Sequence, residues 1–147
     1  MKKKYAVIGL GDLGGSIAIS LQNTGSEVLA IDMDESIIND LKDVVGTAIR
    51  ADSTDEKALT MIGIDSSVDA AIVAIGPDNF ENTILTSVIL LEKGVKKVVA
   101  RASSKLQESI LLKLGVHQVL IPDVQIARQI VSLITSQDVL DTIFLGE

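Results

Sequence analysis

The chain has 147 residues, 47% apolar but only 2% aromatic, and a formal charge of −7. That length supports one domain, with a core built from Val, Ile, Leu and Ala. The absence of Cys excludes a disulfide framework, a Cys–zinc site and a catalytic thiol, one His leaves no room for a His-rich metal site, and the acidic balance argues against nonspecific binding of nucleic acid or anionic membranes.

Tyr5-Ala6-Val7-Ile8 is the first of several short, uninterrupted apolar runs, the signature of strands buried on both faces. A glycine-rich turn follows from Gly9 to Gly15, and then a helix carrying Ile17 and Leu21 that exits at Gly25. Val28-Leu29-Ala30-Ile31 is the second strand, and Asp34 is placed to cap a helix carrying Ile37, Ile38 and Leu41. Ala48-Ile49 marks a third strand. Ser53 to Glu56 reads as a capping box for a short helix with Leu59 and Ile62, closed by Gly63. The run from Ala70 to Ile75 is the fourth strand and is far too short to span a bilayer. Asp78 to Glu81 reads as a second capping box, before a helix with Ile84, Val88 and Leu91 that ends at Gly94. Val98-Val99-Ala100 is the fifth strand. Ser104 to Gln107 caps a helix with Ile110, Leu111 and Leu114, which exits at Gly115. Val119-Leu120-Ile121 is the sixth strand, and Ile126, Ile130, Leu133 and Ile134 share the face of a last helix.

Six strand–helix units predict an α/β fold, a doubly wound Rossmann-like parallel six-stranded sheet of order 3-2-1-4-5-6. The domain spans 1–135, and 136–147 reads as a terminal helix or linker. The basic start Met1-Lys2-Lys3-Lys4 is broken from any signal-like stretch by the glycines, so a soluble cytoplasmic domain is expected.

Gly9-Leu10-Gly11-Asp12-Leu13-Gly14 is G-x-G-x-x-G between a strand and a helix, the context in which it binds phosphate. Gly9 would make the tight turn, Gly11 would admit a pyrophosphate, and Gly14 would let helix and strand pack closely. The helix start offers unpaired N–H groups and a positive dipole end. Asp32 closes the second strand at roughly the twenty-residue separation expected of a ribose-binding acid and disfavours a 2′-phosphate. A purely structural glycine turn is the competing reading, and capping competes for Ser53 and Thr54.

The runs Tyr5–Ser16, Val28–Asp32 with Asp34-Glu35, Arg50–Glu56 and Ala70–Gly76 together resemble the nucleotide-binding RCK (KTN) domain of Trk/Ktr-type potassium uptake regulators, on the side of the Ktr regulatory subunit. The resemblance implies a regulatory subunit rather than an enzyme. It implies a homodimer that assembles into an octameric ring on the cytoplasmic face of a membrane potassium transporter, with no direct membrane insertion and no nucleic acid. ATP, ADP or NAD(H) would bias the gate by binding two ring states differently. Full-length members usually carry a smaller C-terminal ligand-binding domain, and residues 136–147 are expected to lead towards such a domain, absent from this chain.

The same resemblance places the nucleotide on Gly9, Gly11, Asp12, Leu13, Gly14, Asp32, Met33, Asp52, Ser53 and Arg101. Asp52 matches an adenine-side position and Arg101 a basic position near the phosphates, where a solvated strand-end charge is the competing reading. Asp123 falls where relatives have a carboxylate associated with Mg²⁺ or another divalent cation, and capping of the last helix competes with that role. One departure stands out. Ktr relatives carry Arg where this chain has Asp12, and Asp12 would repel a triphosphate unless a cation intervenes.

Two other readings compete: a free-standing NAD(H) or nucleotide sensor, and the cofactor domain of a dehydrogenase. Against the second, the one Tyr, Tyr5, lies in a strand, and the one His, His117, precedes the last strand as an ordinary edge residue. Ile84, Val88, Ile126, Ile130 and Leu133 are candidates for ring-forming surfaces, with core packing expected for most of them.

Overall fold

A computed structural model describes residues 2–136. Six strands form one parallel sheet: β1 (Lys4–Ile8), β2 (Glu27–Asp32), β3 (Thr47–Arg50), β4 (Ala70–Val73), β5 (Val98–Arg101) and β6 (Gln118–Leu120). Their order is β3-β2-β1-β4-β5-β6, as the sequence predicts. The chain therefore winds outward from β1 in both directions, and the order reverses between β1 and β4. Six helices alternate with the strands: α1 (Asp12–Asn23), α2 (Glu35–Leu41), α3 (Glu56–Ile62), α4 (Phe80–Glu92), α5 (Lys105–Leu114) and α6 (Pro122–Thr135). None of the described helices is long and apolar enough to cross a membrane. The expected terminal segment lies, beyond Ser136, outside the described residues.

Successive strand residues feed opposite faces, as the pleat requires. Val7, Val28 and Ala30 pack with Ala18 of α1, Ile38 of α2 and Val45. Ala6, Ile8, Leu29 and Ile31 pack on the other face with Leu59, Leu90 and Leu111 of α3, α4 and α5. Both faces of the central strands are buried, so these strands are continuous apolar runs rather than alternating ones. Gly25, Gly63, Gly94 and Gly115 all adopt positive φ at helix exits, as expected.

The predicted helix starts fare unevenly. Asp34 and Ser104 cap as expected, accepting from the N–H groups of Ser36 and Gln107. The helix after β3 is capped by Asp55, not Ser53, because the Ser53 hydroxyl turns inward to Thr86. Pro77 starts a 3₁₀ turn over Pro77–Asn79, so α4 begins at Phe80, and neither Asp78 nor Asn79 makes a side-chain cap. At α6 the cap position is Ile121, with Pro122 first in the helix, so Asp123 lies in the first turn and does not cap.

Core packing also fails as an account of the last helix. Ile126 and Ile130 are 54% and 51% exposed, and α6 buries none of its residues. Ile84, by contrast, packs against the core. The α6 spacing was amphipathic, but β6 is a short edge strand of three residues and offers little sheet for that face to cover.

Candidate functional site

The strand order leaves a crevice of about 330 Å³ at the carboxyl ends of β1, β2, β3 and β4. Open α/β sheets place ligands at such a reversal, where the loops diverge. The glycine turn forms one wall. Gly9 sits at φ +90, and a Cβ there would meet the Ala74 carbonyl carbon and oxygen and the Ile75 nitrogen, each at 2.8 Å. A Cβ on Gly14 would lie 1.7 Å from the Gly9 carbonyl oxygen. Gly14 is therefore the contact that lets α1 begin directly behind β1. Gly11 differs: a Cβ there meets nothing within 4 Å. The fold does not need a glycine at position 11, yet that residue lines the crevice.

Asp32 braces the turn. Its Oδ2 accepts the Leu10 N–H at 2.7 Å, and its Oδ1 accepts the Asp34 N–H at 2.8 Å. The carboxylate thus ties the glycine turn to the loop after β2. Each oxygen retains a lone pair for a further donor. Arg50 stands beside Asp32 in the β2–β3 register, and its Nε donates to the Met33 carbonyl at 3.0 Å, fixing the same loop. The Met33 side chain remains 58% exposed at the crevice.

The loop after β3 supplies the next wall. Asp52 Oδ1 accepts both the Thr54 hydroxyl, at 2.7 Å, and the Thr54 N–H, at 2.9 Å. The Thr54 hydroxyl, followed by its N–H, holds the Asp52 carboxyl below its ordinary value. Ser53 is buried, and its hydroxyl pairs with that of Thr86 at 2.7 Å. Arg101, at the end of β5, lines the far side and brings a cation to the crevice.

Of the residues the sequence pointed to, the crevice gathers Gly9, Gly11, Asp32, Met33, Asp52, Ser53 and Arg101. Gly14 is buried behind the turn, and Leu13 is half-buried in the first turn of α1. Asp12 is exposed and lines a shallow neighbouring groove with Asp40 of α2. Asp123 is exposed on α6 and does not line the crevice. Among the described residues, no three His, Cys, Asp or Glu side chains gather to hold a metal ion. His117 ties β5 to the approach to β6: its ring Nδ1 accepts the Val98 N–H at 2.9 Å, while its backbone N–H donates to the Val98 carbonyl.

Sequence reasoning missed the segment after β4. Gly76, Asn79 and Asn82 line the crevice opposite the glycine turn. The strand order held the signal, because β1 and β4 are neighbours and their following loops must share the crevice. Thr86 had no such signal, since its part depends on which way one face of α4 points.

The TrkA-N domain family matches residues 5–122 of the chain. The chain is 41% identical over 147 residues to Ktr system potassium uptake protein C of Bacillus subtilis, covering 100% of this chain and 66% of that protein. It is 34% identical over 131 residues to Ktr system potassium uptake protein A of Vibrio alginolyticus, covering 86% of this chain and 59% of that protein. The chain thus spans less than two thirds of the length of either relative. The GsuK channel bound to NAD superimposes with a TM-score of 0.70 at 11% identity, over 82% of this chain and 21% of that one. GsuK bound to ADP superimposes with a TM-score of 0.69 at 11% identity, over 82% of this chain and 31% of that one. At that identity the likeness to GsuK concerns the fold.

Proposed function

Because the chain belongs to the TrkA-N domain family, we propose that it is the nucleotide-binding regulatory part of a potassium uptake system. In this reading it binds an adenine nucleotide, ADP/ATP or NAD(H), and so biases the gate of a membrane potassium transporter. One observation carries the reading: the glycine turn, the Asp32 carboxylate and Asp52 line a single crevice at the reversal of strand order. The free lone pairs of Asp32 suit the two hydroxyls of a ribose. The start of α1 offers N–H groups and a positive dipole end to phosphate, and Arg101 adds a cation. Asp52 Oδ2, which accepts no hydrogen bond among the described residues, suits the 6-amino group of adenine. The likeness to the Ktr relatives, and the NAD and ADP bound in the GsuK structures, support this choice of system and ligand class.

The nucleotide would act by binding one assembly state more tightly than another. The exposed apolar face of α6, with Ile126 and Ile130, is the surface we assign to self-association, as a homodimer and then an octameric ring. The domain would sit on the cytoplasmic side, attached to the membrane through its partner, and would regulate rather than catalyse. Asp123 stands outside the crevice, so we assign it no part in holding a cation there. Mg²⁺, where it enters, would come with the phosphates of the nucleotide.

A thermal-shift panel on the purified chain tests the reading, using ATP, ADP, AMP, NAD⁺ and NADH with and without Mg²⁺. A ligand at ~100 times its Kd adds about 2.7 kcal/mol, about 5–10 °C for a domain of this size. A shift with ATP or ADP is the expected result. A shift with NAD(H) alone favours a stand-alone redox sensor, and no shift with any of them leaves the glycine turn purely structural.

A further inference from the structure

α4 packs on the sheet in an unusual way at its crevice end. Its buried positions run Thr83, Thr86, Ser87 and then Leu90, hydroxyl-bearing side chains giving way to an aliphatic one. Thr83, Thr86 and Ser87 are at most 1% exposed. Three consecutive buried hydroxyls are a costly choice where Ala or Val would fill the space, because each needs a partner. Ser87 Oγ has none. Thr86 Oγ1 is paired with Ser53 Oγ at 2.7 Å, and these two residues are 33 positions apart. Among the described residues this is the one fully buried hydrogen bond between two side chains. It joins α4 to the loop that carries Asp52.

Resting on the proposed nucleotide site, we infer that Thr86 is a positioning residue for base recognition. Its hydroxyl holds Ser53, and Ser53 fixes where the neighbouring Asp52 carboxylate stands in the crevice. Ser53 lines the crevice with its hydroxyl paired to α4, so it serves the ligand as an anchor of the loop. Asp52 is braced from its other side by Thr54, which occupies Oδ1 and leaves Oδ2 for the base. A carboxylate fixed in this way accepts from the 6-amino group of adenine and repels the 6-carbonyl oxygen of guanine. Discrimination of this kind depends on the placement of the acceptor, since a mobile carboxylate could swing away from the carbonyl and be replaced by water. Thr86 therefore sets selectivity between bases more than it sets affinity for phosphate and ribose.

The test is the ratio of ADP to GDP affinity, measured by calorimetry on the chain and its variants below their unfolding temperatures. Thr86→Val keeps the shape and removes the hydroxyl. It should lower the ratio roughly five-fold, the scale of one hydrogen bond, through weaker ADP binding together with relieved repulsion of GDP. Thr86→Ser should restore the ratio to within about two-fold of the parent. Ser53→Ala should give the same loss, and the double variant should lose no more than either single one, as expected of residues acting through one bond. An unchanged ratio in both Thr86→Val and Ser53→Ala overturns the inference. So does an equal fall in affinity for both nucleotides, which marks Thr86 as merely structural. Parent protein that binds ADP without preferring it over GDP overturns base recognition by Asp52 while leaving nucleotide binding standing. Parent protein that binds neither overturns the proposed function itself.

Discussion

The Asp32 carboxylate and the Leu10 backbone N–H meet at 2.7 Å, joining the end of β2 to the middle of the glycine turn. The bond runs between charged and neutral partners, so it is stronger than an ordinary one. It means that the acid expected to hold a ribose also builds the turn expected to hold phosphate. Asp32→Asn should therefore harm both. The amide presents its NH₂ to one of two backbone N–H groups, leaving one donor facing another. Thermal unfolding should show a loss of about 1–3 kcal/mol, and nucleotide affinity should fall by more than tenfold, about 1.4 kcal/mol or more. A variant with parental stability and weak binding would show that Asp32 serves the ligand alone.

The glycines of the turn separate fold from ligand. Gly14→Ala forces a Cβ to within 1.7 Å of the Gly9 carbonyl oxygen, so the turn or α1 must move. Helix propensity alone would favour Ala there by about 1 kcal/mol, but the clash is with backbone and dominates. The expected outcome is a loss of several kcal/mol, or no folded protein. Gly11→Ala meets nothing within 4 Å, and the backbone there is extended with φ −66. Its stability should stay within ~1 kcal/mol of the parent, the scale of a poorer N-cap, while phosphate-bearing ligands should lose affinity because Gly11 lines the crevice. Chemical denaturation and ligand titration on the two variants should give opposite patterns.

Much of this was legible in the sequence because local and global signals agree. The run Tyr5 to Ile8, a glycine turn and an acid ending the next apolar run are local features, and together they specify the strand order and the crevice. The cap at Ser53 misled because a hydroxyl before an acidic turn reads alike whether it points to a helix N–H or into the core. Only the buried side of α4 decides that, and Thr86 is 33 positions away. Ile126 and Ile130 were open between core and surface for a related reason. Periodicity shows that a helix has an apolar face, but what covers that face depends on the width of the sheet edge beside it.

Asp69 ties together the other end of the sheet. Its Oδ2 accepts the Lys4 N–H at 2.8 Å and its Oδ1 faces Lys96 Nζ at 3.2 Å. The Lys4 N–H, followed by Lys96, holds its carboxyl below the ordinary value of 3.8. A carboxyl whose pKa is lower in the folded than in the unfolded state contributes its stability above the unfolded value, and that contribution is lost as pH falls through the folded one. The melting temperature of the parent should thus decline more steeply below about pH 4 than that of Asp69→Asn. The variant should melt lower at pH 7, and the two curves should converge in acid. Parallel curves would show that Asp69 carries no pH-linked stability.

Asp12 stands beside the turn to which the proposed nucleotide would bring its phosphates. It is the first residue of α1, exposed, and one of two acids in the shallow groove beside the turn. The helix N-terminus attracts anions, and an acid in its first turn uses part of that attraction. A triphosphate brought to the same end would meet the Asp12 charge and receive less from the helix than a diphosphate or a dinucleotide pyrophosphate. Reversing the charge in Asp12→Arg should raise the ratio of ATP to ADP affinity several-fold, about 1 kcal/mol. The gain should shrink in high salt, because the site is open to solvent. The change should fall on the third phosphate, leaving AMP binding near its parental value. Titrations of ATP, ADP and AMP at two salt concentrations check this, and an unchanged ATP-to-ADP ratio would remove Asp12 from the selection.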